Sequence, residues 1–195
     1  MKRIAAVAAS LTAGLALMTA CSATTTTTTT TSDPEKVASF NEADVQFATD
    51  MIPHHAQALS MVDLTVDKDI SPQVEALADD IRMAQTPEIE QMAGWLEGWG
   101  EPVPATGRDH AGHDMAAMDM PGMASMDDMA ALDNADGPEF EQMFLSMMME
   151  HHQGAIEMAQ TELDEGANPA AKKLAQEIIS AQEQEIAQMQ QLSSN

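Results

Sequence analysis

The sequence has no tyrosine, four phenylalanines, two tryptophans and a single cysteine among 195 residues. One cysteine cannot close an intramolecular disulfide, so neither a disulfide framework nor a cysteine zinc site is available. Basic residues are scarce: 8 Lys and Arg stand against 32 Asp and Glu, a formal net charge of −24. Such a surface repels phosphate backbones, which excludes nucleic acid as a partner, and it attracts cations. No apolar run reaches the roughly 20 residues that a membrane-spanning helix needs.

What is present begins with a leader. MKR supplies positive charge, IAAVAASLTAGLALM an apolar stretch, and TAC a small-residue end. This pattern reads as a secretory signal over residues 1–20. Because the next residue is Cys21, the junction resembles a bacterial lipobox, whose cysteine is lipidated, although Met18 stands where lipoboxes usually carry leucine. The expectation is a lipoprotein outside the cytoplasm, at the cell surface or in the periplasm, touching the membrane through its lipid alone. Residues 21–38 include ATTTTTTTTSDP, offer no apolar period, and read as a flexible tether.

Beyond the tether the chain repeats itself. Laid on its own second half without a gap, Phe47 falls on Phe144, Met51 on Met148, His54 and His55 on His151 and His152, and Met61 on Met158. The correspondence runs on through Pro72 and Pro169, Ile81 and Ile178, Glu88 and Glu185, and Met92 and Met189. Each copy reads as two helices. Asn41 with Asp44 caps the first, Phe40 is placed to staple against Val45, and Ser71-Pro72 opens the second. Asp136 with Glu139 resembles a capping box, Gly166 ends the third helix, and Asn168-Pro169 starts the fourth. The predicted fold is all-α: a four-helix bundle over residues 39–195, built from hairpins 39–98 and 137–195 joined by a Met/His/Asp-rich loop, 99–136.

Phe47, Met51, His54, Ala58 and Met61 are spaced four, three, four and three, the interval of one buried seam. Phe144, Met148, His151, Ala155 and Met158 repeat it, so His54 and His151 belong to the core stripe. His55 and His152, rotated by about 100°, fall on the flank, where they could serve a dimer contact. Glu88 and Glu185 face inward from the returning helices within reach of the core histidines, and Asp50 adds a carboxylate to the first half alone. A core histidine is often simply hydrogen-bonded, and a methionine stripe is often packing. Retaining a buried polar pair twice favours a use for it.

The connecting loop contains DHAGHDMAAMDMPGMASMDDM. His110 and His113 head it, and Met115, Met118, Met120, Met123, Met126 and Met129 follow at intervals of two or three. Thioethers outside a packed stripe are soft neutral ligands suited to Cu(I) and Ag(I), and imidazole with aspartate suits Cu(II). Trp95 and Trp99 read as closing one end of the core.

MIPHHAQALSM and MMEHHQGAIEM resemble the paired signatures of a bacterial family, domain of unknown function 305 (DUF305). The resemblance implies a ferritin-like helical bundle, often secreted or lipid-anchored, with relatives implicated in copper handling outside the cytoplasm. The motif falls on Met51, His54, His55 and Met61, and on Met148, His151, His152 and Met158; Ala56 and Gln57 replace the Gln153 and Gly154 of the second copy. The expected function is therefore extracytoplasmic copper binding for storage, delivery or tolerance, without catalysis. A helical adaptor with structural histidines is the alternative. A ferritin-like metal oxidase is disfavoured, because neither motif helix has the glutamate and histidine three apart that di-iron bundles use.

Overall fold

The computed structural model describes residues 39–106 and 120–194. The signal, the tether and Cys21 lie outside the described residues, as do His110, His113, Met115 and Met118. Helix α1 (Glu42–Asp63) starts where Asn41 accepts from the Asp44 N–H and Asp44 accepts from the Asn41 N–H, satisfying two donors that a helix start leaves unpaired. α2 (Pro72–Trp99) opens on Ser71 with proline in its first turn and stops at Gly100, whose φ of 80° suits only glycine comfortably. Three helices follow, α3 (Met126–Asn134), α4 (Gly137–Glu165) and α5 (Pro169–Leu192), and no strand occurs among the described residues.

Three local expectations change. The segment read as loop holds α3, nucleated by a capping box between Ser125 and Asp128 just after the break at Pro121-Gly122. Asp136 caps α4 without Glu139: Gly137 adopts φ 53°, and the Asp136 carboxylate takes the adjacent Gly137 N–H at 2.9 Å. Phe40, expected to staple to Val45, lies stacked on Trp99 at 4.7 Å, and Trp99 stacks in turn on Trp95 at 6.0 Å.

α1 pairs with α2 and α4 with α5 as two helical hairpins, which meet chiefly through α1 and α4; α3 lies on α4. Their buried apolar residues form two clusters. One holds Met61, Leu77, Ile81, Phe140, Phe144, Met148 and Met189. The other holds Phe47, Met51, Ile52, Met92, Leu96, Ala155, Leu174 and Ile178. Along every long helix a set of buried polar residues falls between members of the two clusters: His54, His55 and Gln57 on α1, Gln85 on α2, His151 and His152 on α4, and Gln182 on α5, while buried Asp44 and Glu162 lie toward one end. A polar layer thus divides the core at mid-height.

Each hairpin is fastened to the turn of the other. Asp44 accepts from the backbone N–H groups of Ala167 (3.1 Å) and Asn168 (2.8 Å), and Glu141, its counterpart in the repeat, accepts from Ser71 N–H. Burial alone would raise the Asp44 carboxyl, but the N–H groups of Asn168 and Asn41, with help from Glu162 and Ala167, hold it below the ordinary carboxylate range. Glu162 is the opposite case: burial, then the neighbouring Asp44, pushes it up to about 8. The folded chain keeps that proton between pH 4.5 and 8 while the unfolded chain releases it, so this carboxyl makes stability fall as pH rises through that window. Glu162→Gln is expected to remove the decline and to stabilise the protein at pH 8 by about 2 kcal/mol, read from urea midpoints at pH 5 and pH 8.

Candidate metal centre

All four motif histidines are fully buried. For His54 and His151 this is the predicted core position. For His55 and His152 it corrects the flanking assignment: the flank faces the returning helix of the same hairpin, not solvent. On α1 the run from Met51 to Leu59 is buried without a break, because α2, α4 and the segment around Pro121 cover it from three sides. A single-stripe reading of the helix cannot anticipate that, and it leaves these two histidines unavailable to a dimer contact.

The glutamates also serve different partners from those expected. His55 Nε2 donates to Glu88 Oε2 at 2.7 Å, and His152 Nε2 donates to Glu185 Oε2 at 2.6 Å. Each carboxylate therefore binds the second histidine of its motif rather than the first. Asp50 does not join them; it accepts from Gln46 at 2.6 Å on the outer side of α1. His54 Nε2 donates instead to the Pro121 carbonyl at 3.1 Å. The partner of His54 across the core is His151, with ring centres 3.8 Å apart and planes tilted by 36°. Rings that close touch face to face, so no ion fits between them. Donation is possible only from their edges, where the nitrogen lone pairs lie.

A carbonyl or an ionised carboxylate can only accept, so His54, His55 and His152 all carry their proton on Nε2. Their Nδ1 atoms, together with both ring nitrogens of His151, are buried without a hydrogen-bond partner. The same holds for both amide atoms of Gln85 and for the Gln182 oxygen. A buried polar atom left unpaired costs about 1–3 kcal/mol. Burial first, then the charge that neighbouring His55 would carry, pushes His54 down to about 3. Burial, followed by His54, His152 and His55, holds His151 well below its ordinary value. Both rings are therefore neutral at physiological pH, the form whose lone pair can ligate a metal.

Around this layer the predicted thioethers divide. Met51, Met61 and Met148 are fully buried, Met51 in one apolar cluster and Met61 and Met148 in the other. Met158 is half-buried and lines a cleft of about 440 Å³ with Glu42, Asp50 and Glu162. Met120, Met123 and Met129 are half-buried and Met126 is exposed. Among the described residues no group of three or more His, Cys, Asp or Glu is arranged to hold a metal, and no helix is long and apolar enough to cross a membrane. The residue types at and beside the layer, imidazole and thioether, are ones that suit a soft ion.

Gln85 and Gln182 lie at the level of the histidines, as the helix heights predict, whereas the roles of Gln57, Gly154 and the Pro121 carbonyl escaped the sequence reading. Gln57 and Gly154 carried a signal nonetheless, since they occupy corresponding places where the two motif copies differ.

Fold and layer together define a class: an all-α protein of two repeated helical hairpins, with a Met-x-x-His-His sequence on the first helix of each. Within that class the chain belongs to the DUF305 family, a domain of unknown function that residues 44–193 match. Among solved structures it resembles a candidate secreted DUF305 protein of Streptomyces coelicolor, at 35% identity and TM-score 0.68 over 77% of this chain and 91% of that one. A DUF305 fragment from Deinococcus radiodurans matches at 32% identity and TM-score 0.69, over 79% and 97%. CopM in its Cu(I)-bound form matches at 33% identity and TM-score 0.63, over 78% and 96%, and CopM is also solved with Cu(II) and with silver. No protein of curated function matches the sequence.

Proposed function

We propose that this chain is a copper-binding protein of the extracytoplasmic space, anchored by lipid at Cys21 and folded as a ferritin-like four-helix bundle. Its role is to hold the ion for storage, delivery or tolerance rather than to catalyse a reaction. The observation that carries the reading is the set of buried imidazole nitrogens without hydrogen-bond partners. They are costly to the fold and suited to a soft cation. CopM, similar over most of this chain, is a relative solved with copper and silver, which supports the choice of metal.

In this reading His54, His55, His151 and His152 supply nitrogen, and Met51, Met61, Met148 and Met158 supply sulfur. Glu88 and Glu185 act through the imidazoles: a carboxylate taking the Nε2 proton fixes the ring and raises the basicity of the other nitrogen. The segment with His110, His113, Met115, Met118, Met120, Met123, Met126 and Met129 captures ions from solution, aided by the negative surface.

Cu(I) competition against a chromophoric chelator tests this on the purified protein. Tight uptake is expected, with Glu88→Ala plus Glu185→Ala weakening it about 10- to 100-fold. Absence of uptake by the unaltered protein overturns the proposal, and an unchanged affinity in the variant overturns the part given to the glutamates.

A further inference from the structure

The strap of residues 120–125 is seated across the two motif helices by a matched pair of positions. On α1, Gln57 holds the Ala124 backbone at both ends, accepting from its N–H at 2.8 Å and donating to its carbonyl at 2.9 Å. On α4, the corresponding residue is Gly154, and a Cβ there would fall on the Pro121 carbonyl and the Gly122 nitrogen. Gly122 takes φ 77° and packs so closely on the backbone of Glu150 and Gly154 that it too has no room for a side chain. One position reaches out and grips the strap; the other gives way to it. The result is that the Pro121 carbonyl meets His54 Nε2.

We infer that Pro121 is the third ring-setting acceptor of the site, doing with a backbone carbonyl for His54 what Glu88 and Glu185 do for His55 and His152, and that Gln57 and Gly154 are the positioning residues that keep it there. The inference rests on the copper reading for its consequence. A backbone carbonyl on the far nitrogen is a recognised support for a metal-bound histidine. The strap holds His54 as the Nε2–H tautomer, leaving Nδ1 as the unprotonated, unpartnered edge. His151, related to His54 by the repeat, is not met by the strap; the backbone of His54 lies near its ring without completing a hydrogen bond of normal geometry. Of the four rings it alone has no fixed tautomer. The strap also carries Met120 and Met123 of the methionine-rich segment, both half-buried.

The full chain with 15N-labelled histidine provides the test, with Ag(I) and Cu(I) as probes. In the metal-free protein the His54 ring is expected to show a protonated Nε2 and a bare Nδ1, while His151 averages over both tautomers. Gly154→Ala drives the strap off, so His54 is expected to average as well and affinity for both ions to fall about 10- to 100-fold, with the His55 and His152 signals unmoved. Gln57→Glu keeps the acceptor for Ala124 N–H but loses the donor, and gives a smaller loss; it serves if the alanine variant does not fold. A His54 ring that stays fixed in both variants, or an affinity unchanged or raised when the ring is released, overturns the inference. Failure of the unaltered protein to take up either ion, with His54 fixed as described, overturns the copper reading instead.

Discussion

Replacing His54 and His151 together by leucine is expected to lower Cu(I) affinity by more than about 100-fold, beyond what loss of an outer partner costs, and at the same time to stabilise the metal-free protein. The opposite signs follow from one fact. His151 has no hydrogen bond at either nitrogen and His54 has none at Nδ1, yet both rings are fully buried between apolar clusters. Leucine, of similar bulk, removes three unpartnered polar atoms and gives up one bond, His54 to Pro121. Replacing buried polar atoms that lack partners with apolar groups of like shape is neutral to favourable, here by about 1–3 kcal/mol. Chelator competition reads the first effect and urea unfolding of the metal-free protein reads the second. An adaptor with structural histidines behaves differently: the variant would lose stability, and no copper affinity would exist to be lost.

The second large effect is in acid. His54 is held to about 3 in the folded chain by burial, against 6.5 when unfolded. Between those values the unfolded state binds a proton that the folded state refuses, so stability is lost as pH falls from 6.5 toward 3. A displacement of that size amounts to on the order of 5 kcal/mol for His54, and His151, shifted in the same direction, adds to it. Acidification also relieves the repulsion of a chain carrying 32 acidic residues, which works the other way. The leucine pair separates the contributions: its urea midpoint is expected to rise as pH falls from 6.5 to 4.5, following Glu162 and the relief of acidic repulsion, where the buried imidazoles of the unaltered protein oppose that rise. Equal slopes in the two proteins would remove the buried neutral imidazoles from the explanation.

How much of this was legible beforehand depends on what kind of signal each residue sends. Helix starts at Asn41, Ser71 and Asn168 were readable because capping is local chemistry, decided within one turn. The core placement of His54 and His151 was readable because a seam has a period and the repeat states it twice. His55 and His152 were misplaced because periodicity reports one face, whereas α1 is covered by α2, α4 and the strap together. Glu88 and Glu185 were located at the correct level but matched to the wrong rings, since a level along the helix does not fix the angle around it. The strap was out of reach altogether. Its grip runs through backbone atoms of Pro121 and Ala124, which no side-chain pattern records, and α3 beside it depended on a single cap at Ser125.

The four imidazoles have no exposure to water, and the two hairpins are pinned at both ends, by Asp44 on the Ala167–Asn168 turn and by Glu141 on Ser71. An ion cannot simply fall into place. It waits for the chain to breathe, and once inside it waits again to leave. On the copper reading proposed above, loading and unloading would thus be timed by the protein's own opening rate rather than by diffusion, which would suit long custody more than rapid passage from hand to hand.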